Sequence, residues 1–305
     1  MGLLDDIISG RVETTGVSRQ IEQEVIELNR KKADGEQEMK LRQQMGEEVG
    51  DLWVSESRRL GLPYDCFAEW EVEMVQKAVS AKDDLKGTLR LLTCAQDYEM
   101  RNQKYDKDNP VHSFNKQHCH YWVDILCQRA KEGSIYARAA VISQYSLIAI
   151  NPTISERIKE LTGEEQAEYR RDVVNQANRR NPQAIVAFTF FNVIGGDDMQ
   201  EKRREMFRLA GELGSSEGYD QLFEMTESRW SSEEGFMIAR AAAECDDGEI
   251  AYEYMDRLGD AYWYADDWIK EQDKQTALYW YQRAARGGYT SSIRTLEMLK
   301  SNGEI

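Results

Sequence analysis

Proline, cysteine and histidine are all scarce in this chain of 305 residues, and each shortage closes off a class of answers. Four prolines and 21 glycines are too few for collagen-like, linker-rich or many-turned all-β architectures. Five cysteines (Cys66, Cys94, Cys119, Cys127 and Cys245) are odd in number, widely spread and without a Cys-x-x-Cys pair. That pattern predicts reduced, mostly buried thiols in a cytoplasmic protein rather than a disulfide frame. Three histidines leave few general bases, and there is no Gly-x-Ser-x-Gly elbow to hold a nucleophile. The longest apolar runs, such as Ala184 to Ile194, fall well short of the ~20 residues a membrane span needs. The opening Met1-Gly2-Leu3-Leu4-Asp5-Asp6 has neither a basic n-region nor an apolar h-region, which predicts no secretory signal. Asp6 also stands where a myristoylation motif wants Ser or Thr.

Positive charge is the other deficit. With 39 Lys and Arg against 55 Asp and Glu, the net charge is −16. Such a chain repels nucleic acid and anionic membrane, because holding phosphates takes Lys and Arg to displace counterions. Its field attracts basic proteins, which are therefore the expected partners. Against these shortages stands ample core material: 41% hydrophobic and 10% aromatic residues. A globular chain of this size buries roughly three quarters of its unfolded surface, so a mainly disordered state is excluded.

Apolar residues recur at steps of three and four in most windows, and alternation of period two is almost absent, which predicts helices nearly throughout. Residues 17–60 are polar with a narrow apolar stripe and read as one or two peripheral helices. Cys66 to Val79, with Phe67, Trp70, Met74 and Val75 on one face, reads as an amphipathic helix, and so does Leu85 to Met100. The polar stretch 101–111 ends in Asn109-Pro110 and is the best boundary candidate, dividing an N-terminal helical region (1–110) from the remainder (111–305). Beyond it, Thr153-x-x-Glu156, Thr162-x-x-Glu165 and Ser231-x-x-Glu234 are candidate capping boxes. Asn151-Pro152 and Asn181-Pro182 put proline at helix starts. Gly133, Gly163, Gly214, Gly248 and Gly288 offer left-handed helix ends. Short helices of this kind must pack in pairs.

The clearest repeating unit is Leu258-Gly259-x-x-Tyr262, then Asp273-x-x-x-Ala277-x-x-Trp280-Tyr281-x-x-Ala284-Ala285-x-x-Gly288, then Leu296. The alanines let a neighbouring helix approach closely, and Trp280 and Tyr281 fill the space beside it. Weaker echoes end at Gly133, Asn181 (asparagine in the glycine place), Gly214 and Gly248, so that successive endings lie 48, 33, 34 and 40 residues apart. That is the span of a two-helix unit with variable loops. The unit resembles the Sel-one-like repeats, relatives of the tetratricopeptide repeats, over residues 255–300, with echoes over 127–254. It departs in having Ala265-Asp266-Asp267-Trp268 where the family has a Gly-rich loop. The resemblance implies an all-α fold, an α-solenoid of three to five degenerate helical hairpins following the N-terminal helices. Such solenoids usually recognise proteins or peptides on a curved surface.

The most distinctive stretch is 233–273, with 13 acids against Arg240, Arg257 and Lys270, interleaved with Tyr252, Tyr254, Tyr262, Trp263, Tyr264 and Trp268. A solvated acidic face with aromatics at packing positions accounts for it. So does a docking patch of Asp246, Asp247, Glu249, Tyr252, Glu253, Tyr262, Trp263, Asp266, Asp267 and Trp268, where rings anchor a partner and carboxylates steer it. The docking reading makes the chain a non-enzymatic protein-binding protein, suited to an immunity or antitoxin role against a basic toxin, with an adaptor or assembly regulator as the alternative.

The rival from another class is a metal- or Cys-dependent enzyme using His112, His118, Cys119, His120 and Cys127. Spacing disfavours it: His118 and His120 point to different sides of a helix, and no established metal-ligand motif is present. No cofactor and no metal are expected. Gly195-Gly196-Asp197-Asp198 reads as a helix-to-helix turn, since its acids would repel phosphate. Arg170-Arg171, Arg179-Arg180 and Lys202-Arg203-Arg204 read as partners for nearby carboxylates. Carboxylate pairs as such carry no weight among 55 acids.

Overall fold

The computed structural model describes residues 84–102, 104, 106–143, 151–191, 198–245, 248–265 and 269–305. The chain divides into two units, residues 1–80 and 81–305, and every described residue belongs to the second. The helices expected over 17–60 and Cys66 to Val79 lie outside the described residues, as does the turn at Gly195-Gly196.

Among the described residues there are twelve α-helices, one 3₁₀ turn and no strand. They are α1 (Leu85–Asn102), α2 (Pro110–Glu132), α3 (Ile135–Val141), α4 (Pro152–Ile158), α5 (Gly163–Asn178), α6 (Pro182–Phe191) and α7 (Asp198–Glu212). Then come α8 (Ser216–Glu224), the 3₁₀ turn Arg229–Ser231, α9 (Glu233–Cys245), α10 (Glu249–Tyr264), α11 (Lys274–Arg286) and α12 (Thr290–Ser301). The fold is all-α.

Packing follows chain order. From α6 to α12 each helix packs on the next, and α6, α7 and α8 also touch the helix two places on. At the start, α1 and α2 form a closely packed pair, α2 meets α3 and α4, and α3 lies against α5 and α6. The loop ending in Asn109-Pro110 therefore joins the two members of a helical pair within residues 81–305. The core is built from the inward stripes of these helices, with Leu91, Leu92, Tyr98, Trp122, Leu126 and Tyr136 among its members in the first half. The apolar run in α6 has a physical reason. This helix packs against α3, α5, α7 and α8, and a helix covered on several sides needs no polar face. Among the described residues no helix is long and apolar enough to cross a membrane.

One tight turn recurs. At Gly133, Arg180, Gly214 and Gly288 the backbone is left-handed, with φ of 105°, 62°, 96° and 85°. In each case that residue's N–H donates to the carbonyl three back, and the next N–H donates to the carbonyl five back, a Schellman arrangement that closes the helix end. The next residue then starts another helix. Ser134 Oγ accepts from Ala137 N–H, Asn181 Oδ1 from Gln183 and Ala184 N–H, and Ser215 Oγ from Gly218 N–H. At the second turn the left-handed residue is Arg180, and Asn181 is the cap rather than the glycine equivalent. Two expected stops are starts: Gly163 is the first residue of α5, and Gly248 precedes α10 with φ −89°.

Of the capping boxes, Thr162 with Glu165 is complete in both directions. Thr153 lies inside α4 behind Pro152, and Ser232 rather than Ser231 caps α9, accepting from Gly235 N–H at 3.0 Å. Thr162→Ala removes an exposed hydroxyl cap and is expected to cost about 1 kcal/mol, read as a lower urea midpoint with an unchanged slope.

Candidate functional site

The described residues of the acidic-aromatic stretch form α9 and α10, and its last residue, Asp273, caps α11. Helical period sorts α10 into two kinds of side chain. Ile250, Ala251, Tyr254, Met255, Leu258, Gly259, Ala261 and Trp263 are buried, while Glu249, Glu253 and Tyr264 are exposed. Tyr252 and Tyr262 are half-buried. Tyr262 meets Phe236 edge-on with ring centres 6.2 Å apart, and Tyr252 packs where a Cβ on Gly287 would come within 2.1 Å of its ring.

Trp263, expected in the docking patch, lies in the core instead. It is 4% exposed and packs with Ala277, Tyr281 and Leu299. Lys274 Nζ lies 4.4 Å from its ring centre, and Gln272 Nε2 donates to its carbonyl. The reason is steric: α10 buries the side towards α11, and position 263 falls on that side. Asp246, Asp247, Asp266, Asp267 and Trp268 lie outside the described residues.

The acids have distinct duties. Tyr281 O–H donates to Asp260 at 2.7 Å, and Ser292 Oγ donates to Asp256, so these two carboxylates tie α11 and α12 to α10. Asp273 caps α11, accepting from Thr276 N–H at 3.0 Å, and that backbone bond together with the Thr276 hydroxyl holds its carboxyl below the usual range. Glu234 pairs with Arg204 at 2.8 Å, as expected for that base, and Glu244 pairs with Arg240 at 3.1 Å. Glu249 and Glu253 project outward from the first turns of α10.

Glu253 holds the ammonium of Lys86 from α1 at 3.0 Å. Burial pulls the Lys86 pKa down, but Glu253, with Asp220 and Glu249 nearby, outweighs it and raises the pKa above the ordinary lysine value. Beneath Lys86, Tyr254 O–H donates to Asp220 at 3.0 Å. Glu217, one turn before Asp220 on α8, accepts from Leu85 N–H at 3.1 Å and from Tyr136 O–H. Lys86, Tyr136, Glu217 and Asp220 carry no sequence motif. Only the fold brings them to the acids of α10.

The histidine cluster disperses along α2. His118 and His120 are about 200° apart around that helix. His118 is buried between Phe114 and Tyr98, with ring centres at 4.0 and 5.4 Å, and its Nδ1 donates to the Phe114 carbonyl at 2.7 Å. Burial pushes it down to about 4. Burial also pushes Cys119 up to about 12 and Cys127 up to about 11, which opposes thiolate formation at neutral pH. His120 lies on another side of α2, its pKa lowered by burial and by Lys116 and Arg157. Among the described residues no group of three or more His, Cys, Asp or Glu side chains is placed to hold a metal ion. No protein-family model, curated protein or solved structure matches this chain.

Proposed function

We propose that this chain is a non-enzymatic binding protein that captures a basic protein partner on the acidic surface of α8 and α10. We read its helices as a Sel-one-like, tetratricopeptide-related solenoid. The solenoid reading is supported by the serial packing of α6 to α12 and by the left-handed turn that joins one helix to the next at Gly133, Arg180, Gly214 and Gly288. The docking reading rests on one contact: the chain's own Lys86 ammonium sits at 3.0 Å from Glu253 with Asp220 and Glu249 around it. A surface that takes one lysine in this way suits a lysine- or arginine-rich segment of another protein. An exposed ion pair alone contributes little, so affinity would come from several such contacts and from half-buried rings such as Tyr252 and Tyr262, with the net charge accelerating encounter. An immunity or antitoxin role is the narrower form of this reading.

Fluorescence anisotropy with a labelled octalysine peptide tests it. Binding is expected, weakening about tenfold or more between low salt and about 0.3 M salt, and absent in the double variant Glu249→Lys, Glu253→Lys. Octaglutamate should not bind. Octalysine affinity indifferent to salt and to the double reversal overturns the reading. Rescue of cells by co-expression against a basic toxin would separate the immunity form from an adaptor.

A further inference from the structure

Eight residues, 225–232, join α8 to α9, whereas two or three turn the corner at Gly133, Gly214 and Gly288. This longer connection is fixed along its length. Thr226 is buried, and its hydroxyl donates to the Leu222 carbonyl at 2.9 Å. Arg204 Nη1 donates to the Met225 carbonyl at 2.7 Å. The Arg229 carbonyl accepts from the Ser232 hydroxyl at 3.0 Å and from its N–H at 3.2 Å. Ser228 and Arg229 are both left-handed, with φ of 56° and 25°, an unfavourable conformation for residues that carry a Cβ. At Gly235 a Cβ would collide with the Arg229 carbonyl, so α9 begins hard against this pair.

The residue that the connection sets in place is Trp230, which is half-buried. Its ring centre lies 5.2 Å from that of Phe223 on α8 and 6.0 Å from that of Tyr254 on α10. Arg257, one turn after Tyr254, brings its guanidinium carbon to 5.4 Å from the Trp230 ring centre. Glu253, which holds Lys86, lies one turn before Arg257 on the same side of α10. Tyr254 in turn donates to Asp220. An indole that already takes a guanidinium therefore stands at the edge of the acids of α8 and α10.

We propose that Trp230 reads arginine in the partner: a guanidinium of the docked segment stacks on the indole while Glu253 supplies the opposite charge. This rests on the proposed capture of a basic protein and names the side chain that is selected. A guanidinium is planar and weakly hydrated, so it stacks on an aromatic face, whereas an ammonium is compact and strongly hydrated. In the free chain Arg257 stands in for the partner's side chain and competes with it. The other base of this connection, Arg229, is matched by Glu224 at 2.8 Å.

The test is the ratio of octaarginine to octalysine affinity, read by fluorescence anisotropy on the full chain at one low salt concentration. Arginine forks favour carboxylates anywhere, so the change in this ratio between variants is what decides. Trp230→Leu should lower the ratio about 2- to 5-fold, and Trp230→Phe should fall between it and the parent. Arg257→Gln should raise the ratio about twofold or more, because it vacates the ring. The charge it removes strengthens both peptides and cancels. An indole that served packing alone would give no such rise. Urea unfolding checks that each variant is folded, and Arg257→Gln keeps the test decisive even where loss of the indole unfolds the chain. A ratio unmoved by Trp230→Leu, or one that fails to rise in Arg257→Gln, overturns the arginine reading while peptide binding as such leaves the docking surface standing. Binding of neither peptide overturns both.

Discussion

Trp263→Ala is expected to lower the free energy of unfolding by about 3–5 kcal/mol, the cost of emptying a buried indole site, while Tyr264→Ala should stay within about 0.5 kcal/mol. The two residues are adjacent on α10, yet one is 4% and the other 62% exposed. Removing the indole leaves a void between Ala277, Tyr281 and Leu299, and withdraws the ring that Lys274 faces at 4.4 Å. The surrounding helices are joined end to end and tied by Tyr281 to Asp260 and Ser292 to Asp256, so they have little freedom to collapse into the gap. Urea unfolding of the two variants checks this directly. An exposed Trp263 would give the opposite result, namely unchanged stability with weakened binding of octalysine.

The contrast between 263 and 264 also shows how far a sequence can be read. Neighbouring helix positions differ by about 100° in direction, so a run of Tyr, Trp and Tyr announces aromatic payload without saying which ring faces the core. Period alone was enough for the all-helical class and for the buried face of α11, where Ala277, Trp280, Tyr281 and Ala284 all lie inside. Left-handed ends at Gly133, Gly214 and Gly288 were legible because glycine pays no Cβ penalty there. Arg180 was not, since a left-handed arginine is a cost imposed by the turn and leaves no trace in residue type.

The duties of the acids leave little trace in residue type. Asp256, Asp260 and Glu253 look identical on a helix, and their duties depend on Ser292, Tyr281 and Lys86. Only Asp273 carried a local sign, a cap residue three places before Thr276. Glu217 had none. Its partners come from α1 and α3, and no window on the chain contains them.

Gly259→Ala should destabilise by about 1–3 kcal/mol, as overpacking in a tight core does, even though alanine is the better helix former by about 1 kcal/mol. A Cβ at 259 would stand 2.5 Å from Tyr281 Cε1 and 2.6 Å from Cδ1. That ring cannot give way easily: Tyr281 is fully buried, and its hydroxyl is held by Asp260 at 2.7 Å. Gly211 faces Tyr219 at 2.7 Å in the same manner, but Tyr219 is only partly buried and can swing outward, so Gly211→Ala should cost less than Gly259→Ala. The cause is tested by a double-mutant cycle in urea. Tyr281→Leu is costly alone, but in combination with Gly259→Ala the total should fall short of the sum by about 1 kcal/mol, the signature of two residues competing for one space. Strict additivity would mean that the glycine is required by something other than the ring lying across it.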